Sequence, residues 1–127
     1  MAPFEKSLGG LLSMQRYLMT KVPHRHEVPQ ELQARVVAGL GLIEETLEYL
    51  NAVGFKSWRP EPLSKEDQLE ELVDILFFYL EMIILSGFSL DEVFEGYHKK
   101  WKVNLERYKR AKMGDYGWDK RGEKTGL

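Results

Sequence analysis

Apolar residues recur at three- and four-residue intervals through four stretches of the chain, and no stretch alternates apolar with polar residues as a half-buried strand would. The pattern predicts an all-α fold of four helices. The first covers residues 4–20, after which Pro23 and Pro29 bracket a polar link carrying His24 and His26, read as loop residues. The second runs from about residue 30 to 53 and stops at Gly54. Ser64, with Asp67 three positions on, is an N-cap for a third helix that ends before Gly87. Ser89-Leu90-Asp91-Glu92 repeats the start signal as a capping box, and the fourth helix continues to about residue 112. The remaining Gly-, Lys- and Trp-containing segment, about 113–127, reads as a flexible basic tail.

The second helix carries two lines of interest. Leu32, Val36, Leu40, Ile43, Leu47 and Leu50 form the apolar stripe expected to pack in a bundle. Beside it lie Ala34, Ala38, Gly41, Glu45, Glu48 and Ala52, small residues flanking two acids, which would let another helix or a ligand approach closely. The third helix holds Asp74 within Leu72-Val73-Asp74-Ile75-Leu76-Phe77-Phe78-Tyr79-Leu80, a run otherwise apolar or aromatic. A carboxylate kept from water must be neutralised, paired or bound to a cation. Lys100 or Arg107 is an available ionic partner, and Phe77, Phe78, Tyr79 and Trp101 read as core.

Composition narrows the class. A chain of 127 residues, 43% hydrophobic and 30% charged, suits one globular domain, and the apolar segment 8–14 is too short and glycine-interrupted for a signal peptide. The lack of cysteine excludes disulfides, thiolate catalysis and zinc-thiolate sites and fits a reducing cytoplasm; no membrane or nucleic-acid partner is expected. The net charge of −2 conceals a polarity along the chain. Residues 44–95 hold thirteen acids against Lys56, Arg59 and Lys65, whereas residues 99–112 hold seven basic residues against Glu106. Helix faces of opposite sign packing together would explain this. So would a substrate held through cations at one end and by basic groups on phosphate oxygens at the other.

Spacing favours the second explanation. Glu45 and Glu48 share a face of the second helix, as Glu71 and Asp74 share one on the third. In an antiparallel hairpin closed by residues 54–63, a rise of about 1.5 Å per residue brings both pairs to the same level. Four carboxylates with no histidine suit Mg²⁺, or Mn²⁺, better than the iron sites of helix bundles. Asp74 is expected to be the most buried of the four. Mg²⁺ commonly shares phosphate oxygens, so a polyphosphate substrate and hydrolysis by an activated water follow, with Glu44 or Glu48 as the candidate general base.

Glu44-Glu45-x-x-Glu48, twenty-two residues, then Glu71-x-x-Asp74 resembles the signature of the all-α nucleoside triphosphate pyrophosphatases, which include MazG-like proteins and dimeric dUTPases. The resemblance spans most of the chain and implies a MazG-like four-helix bundle completed by homo-oligomerisation, as a homodimer or homotetramer. It also implies Mg²⁺-dependent cleavage between the α and β phosphates of a nucleoside triphosphate, dUTP or a non-canonical nucleotide among the possibilities. Gln15, Lys56 and Trp58, the last two within Gly54-Phe55-Lys56-Ser57-Trp58, resemble base-binding residues of the dUTPase branch. Lys100-x-x-x-Asn104-x-x-Arg107 resembles its phosphate-binding segment, with Tyr116 as a further phosphate contact, although Trp101, Tyr108 and the late position of Gly114-Asp115-Tyr116 depart from the pattern. A helical interaction module with an acidic binding face is the contrasting expectation; it would tolerate loss of Asp74.

Overall fold

Local capping sets where the helices begin and end. The computed structural model describes residues 4–21 and 31–112. Helix α1 (Leu8–Thr20) starts four residues later than the periodicity predicts. Ser7 is extended and its side chain accepts the Gly10 N–H at 3.0 Å, so the hydroxyl replaces a missing helical acceptor and Phe4 to Lys6 stay outside. Helix α2 (Glu31–Val53) ends where Gly54 adopts φ +79°, with the Phe55 N–H reaching back to the Leu50 carbonyl at 3.3 Å. That closure needs a residue at ease in the left-handed region, and glycine supplies it.

Helix α3 (Lys65–Leu85) has the expected cap: the Ser64 side chain accepts the Asp67 N–H at 3.0 Å, with Glu66 and Asp67 in the positively polarised first turn. Between α2 and α3 the loop folds tightly, the Arg59 N–H meeting the Lys56 carbonyl at 3.0 Å and the Leu63 N–H the Ala52 carbonyl at 2.8 Å. Helices α2 and α3 form the principal packing pair, and α1 lies against α3. The buried apolar residues are Leu12, Met19, Ala38, Ala52, Leu80 and Ile83.

The packing reverses one expectation. The strip of small residues on α2, not its apolar stripe, faces α3: Ala38 and Ala52 are buried, Gly39 approaches Met82 and Gly41 lies against the Phe78 ring. Leu32, Val36, Leu40, Ile43 and Leu47 are instead between 51% and 63% exposed. Small side chains let two backbones approach, so they win the contact between helices within the chain. The bulky stripe is left outside it.

Chain contacts cluster into two units, Met1–Leu90 and Asp91–Leu127. Nearly all of helix α4 (Leu90–Lys112) belongs to the second. Asp91 and Glu92 occupy its first turn and Lys109, Arg110 and Lys112 its last, both complementary to the helix dipole. Phe94, His98 and Trp101 stack along it with ring centroids 6.4 and 5.9 Å apart, and none of its residues is buried. No single described helix is long and apolar enough to cross a membrane.

Candidate metal centre and adjoining pocket

Antiparallel pairing of α2 with α3 brings the acidic motifs together. Glu45, Glu71 and Asp74 each offer a carboxylate oxygen within 4.8 Å of the others, and all three side chains are half-buried. Asp74 is thus half-buried, as Glu45 and Glu71 are. The sequestered atom is Glu71 Oε2, which has no hydrogen-bond partner among the described residues. Leu72, Val73, Phe77 and Tyr79 are exposed, so the apolar run around Asp74 does not close over it. Glu48 and Glu44 are exposed on α2, and Glu48 lies outside the three-residue cluster.

Charge is crowded here. Burial, then Asp74, then Glu71, Glu44 and Glu48 push the Glu45 carboxyl above its ordinary value of 4.5. Burial, followed by Asp74, Glu48, Glu70 and Asp67, does the same to Glu71. Carboxylates so placed resist ionising together, and a cation or a retained proton relieves them. The donor set is oxygen only, hard and anionic, and Glu71 Oε2 is an unpartnered acceptor. These residues fit a hard divalent cation.

A pocket of about 270 Å³ adjoins the cluster, lined by Gln15, Leu18, Glu45, Asp74, Phe77, Phe78 and Glu81. Helix α1 contributes Gln15, only 4% exposed, whose Oε1 has no hydrogen-bond partner among the described residues. Phe78 forms part of the wall beneath Gly41, where a Cβ on the glycine would stand 2.5 Å from the ring. Gln15 and Phe77 also line, with Leu11, Met14, Val73, Leu76 and Leu80, an apolar cavity of about 80 Å³.

The structure thus joins Gln15 to Glu45 and Asp74 in one pocket, with Glu71 beside them. Lys56 and Trp58 sit on the loop between α2 and α3, away from the pocket lining, with the Lys56 ammonium 5.9 Å from the Trp58 ring and Trp58 75% exposed. Lys100, Asn104 and Arg107 form one stripe of α4, where Arg107 Nη1 donates to Asn104 Oδ1 at 3.5 Å. Tyr116, His24 and His26 lie outside the described residues. Sequence reasoning missed Glu81, which is 3% exposed, and gave Phe77 and Phe78 a core role without a pocket. The available signal was spacing, since Glu81 follows Asp74 by seven residues and so shares its helix face.

Comparison with known proteins gives this geometry a context. Residues 7–86 match the protein family described as dUTPase. That span contains α1, α2, α3 and the whole carboxylate cluster. Over 52 residues the chain is 46% identical to the dCTP pyrophosphatase of Enterobacteria phage T4, an alignment covering 39% of this chain and 30% of the phage protein. No solved structure matches the chain.

Proposed function

Since the chain belongs to the all-α dUTPase-like family of the nucleoside triphosphate pyrophosphatases, we propose that it hydrolyses a nucleoside triphosphate between the α and β phosphates, releasing the monophosphate and pyrophosphate. The observation that carries this reading is the convergence of Glu45, Glu71 and Asp74 beside a pocket with an aromatic wall and a buried amide. The matching family and the phage relative are both named for deoxypyrimidine triphosphates, which supports a substrate of that class.

In this reading Glu45, Glu71 and Asp74 hold Mg²⁺, or Mn²⁺, and Glu48 completes the set from the exposed end of its motif. A bound divalent cation neutralises phosphate charge and lowers the pKa of a coordinated water. Glu44 or Glu48, both exposed, takes a proton from the attacking water. The water oxygen bonds to the α phosphorus as the bond from that phosphorus to the bridging oxygen breaks, and pyrophosphate leaves with the electron pair. Lys100, Asn104 and Arg107 offset phosphate charge, with Tyr116 as a further contact. Gln15 meets the base; Lys56 and Trp58, which the resemblance names as base-binding, lie on the loop outside this pocket lining. The exposed apolar stripe of α2 supports a homodimer or homotetramer, working in the cytoplasm.

The test is a panel of ordinary and modified nucleoside triphosphates, assayed with the full chain for pyrophosphate release in Mg²⁺, in Mn²⁺ and in chelator. Metal-dependent release from at least one nucleotide is expected. Asp74→Asn should lower kcat/KM on the order of 100-fold or more, the usual scale for removing a fixed charge from a reacting centre, and should abolish stabilisation by Mg²⁺. Absence of turnover with every nucleotide and metal would overturn the enzyme reading. Full activity in Asp74→Asn would remove the cluster from the mechanism.

A further inference from the structure

The pocket beside the carboxylates has a chemically distinctive far end. Glu81 is a buried carboxylate outside the four-acid motif, on the same face of α3 as Asp74 and about 10 Å further along the helix at 1.5 Å per residue. Both line the pocket, and Phe78, held by close contact with Gly41, lies between them in sequence. Across from α3, α1 supplies Gln15, nine-tenths buried, with an amide oxygen that has no partner among the described residues. An ionised carboxylate only accepts hydrogen bonds, through about four lone-pair positions, and can serve a ligand while engaged elsewhere. A buried, unpartnered amide oxygen likewise calls for a donor.

We propose that Glu81 is a specificity-determining residue which, with Gln15, selects a base carrying an exocyclic amine, and hence cytosine over uracil. This inference rests on the pyrophosphatase reading of the neighbouring carboxylates. The spacing suits it: phosphates at the Glu45 and Asp74 end leave the base to reach the Glu81 end across the Phe78 ring. Cytosine presents an amino group with two N–H donors at its 4 position, enough to serve both acceptors. Uracil has a carbonyl oxygen there, and its one donor lies between two carbonyls. Seating uracil sets a carbonyl oxygen against the carboxylate and leaves a buried acceptor unpaired, the kind of mismatch a polar site rejects strongly.

The two triphosphates differ only at this edge, so their ratio isolates it. Pyrophosphate release from dCTP and dUTP is measured with the full chain in Mg²⁺, for wild type and Glu81→Gln. Wild type should favour dCTP by about 10-fold or more in kcat/KM, and Glu81→Gln should reduce that ratio by about 10-fold or more. Stabilisation by Mg²⁺ should be retained, because Glu81 is outside the metal-binding cluster. A wild-type enzyme that processes dUTP as well as dCTP overturns the proposal, as does a folded Glu81→Gln protein with an unchanged ratio. If Glu81→Gln does not fold, the wild-type ratio decides. If no triphosphate is cleaved, the hydrolytic reading fails separately, and calorimetric binding of dCMP against dUMP decides the base preference: tighter dCMP supports it and equal or tighter dUMP sinks it.

Discussion

Glu45 and Glu71 carry a consequence that can be measured without substrate. Their raised carboxyl pKa values mean that the folded chain binds more protons than the unfolded one between 4.5 and the folded values. This contribution to stability is present below 4.5 and is lost as pH rises through that window. The metal-free protein should therefore gain more from Glu45→Gln at pH 7 than at pH 4. With Mg²⁺ the order reverses, because the substitution removes a ligand. Thermal unfolding of both proteins at the two pH values, in chelator and in Mg²⁺, checks the sign. A Tm difference independent of pH would show that the crowding does not strain the fold. At this scale the candidate ligands were legible because acids three apart share a helix face. Which oxygen is sequestered was not, since that depends on the apposed helix: Glu71 Oε2 is buried with no hydrogen-bond partner among the described residues.

Helix boundaries at Ser64 and Gly54 were equally legible, because a cap is a bond between residues a few positions apart. Start and stop signals fail only where another cap intervenes, as Ser7 does ahead of α1. The choice of packed face on α2 is a different matter. Apolar content favours Leu32, Val36, Leu40, Ile43 and Leu47, whereas close approach favours Ala38, Gly41 and Ala52, and α3 takes the second line. Two glycine substitutions separate these effects. Gly41→Ala drives a methyl group against the Phe78 ring and should destabilise by about 1–3 kcal/mol, the usual range for overpacking. Gly96→Ala in α4 meets nothing within 4 Å and should stabilise by about 0.5–1 kcal/mol. Chemical denaturation of the two variants tests the pair, and a neutral Gly41→Ala would show that the ring relaxes freely.

For the molecule as a whole, the dominant fact is the apolar surface left uncovered on α2. Contiguous apolar faces of this kind mark interaction surfaces. If the chain is homo-oligomeric, as proposed above, a second copy is the occupant of this face. Placing charges in the stripe, as in Ile43→Lys with Leu47→Lys, should shift sedimentation toward the monomer and lower activity together. A wild-type chain that sediments as a monomer at micromolar concentration would remove this account of the stripe.

The sequence by itself determined the helical class, the caps at Ser64 and Gly54 and three acids that meet, Glu45, Glu71 and Asp74, because each follows from intervals of three or four residues along one helix. Only the tertiary structure decided that α2 turns its small-residue line to α3, that Gln15 and Glu81 end in the same pocket as Asp74, and that a bulky apolar stripe stays outside the contact between α2 and α3. Those outcomes depend on which of two competing faces allows the closer approach. Distance between helices resolves that competition, and periodicity along a single helix carries no information about it.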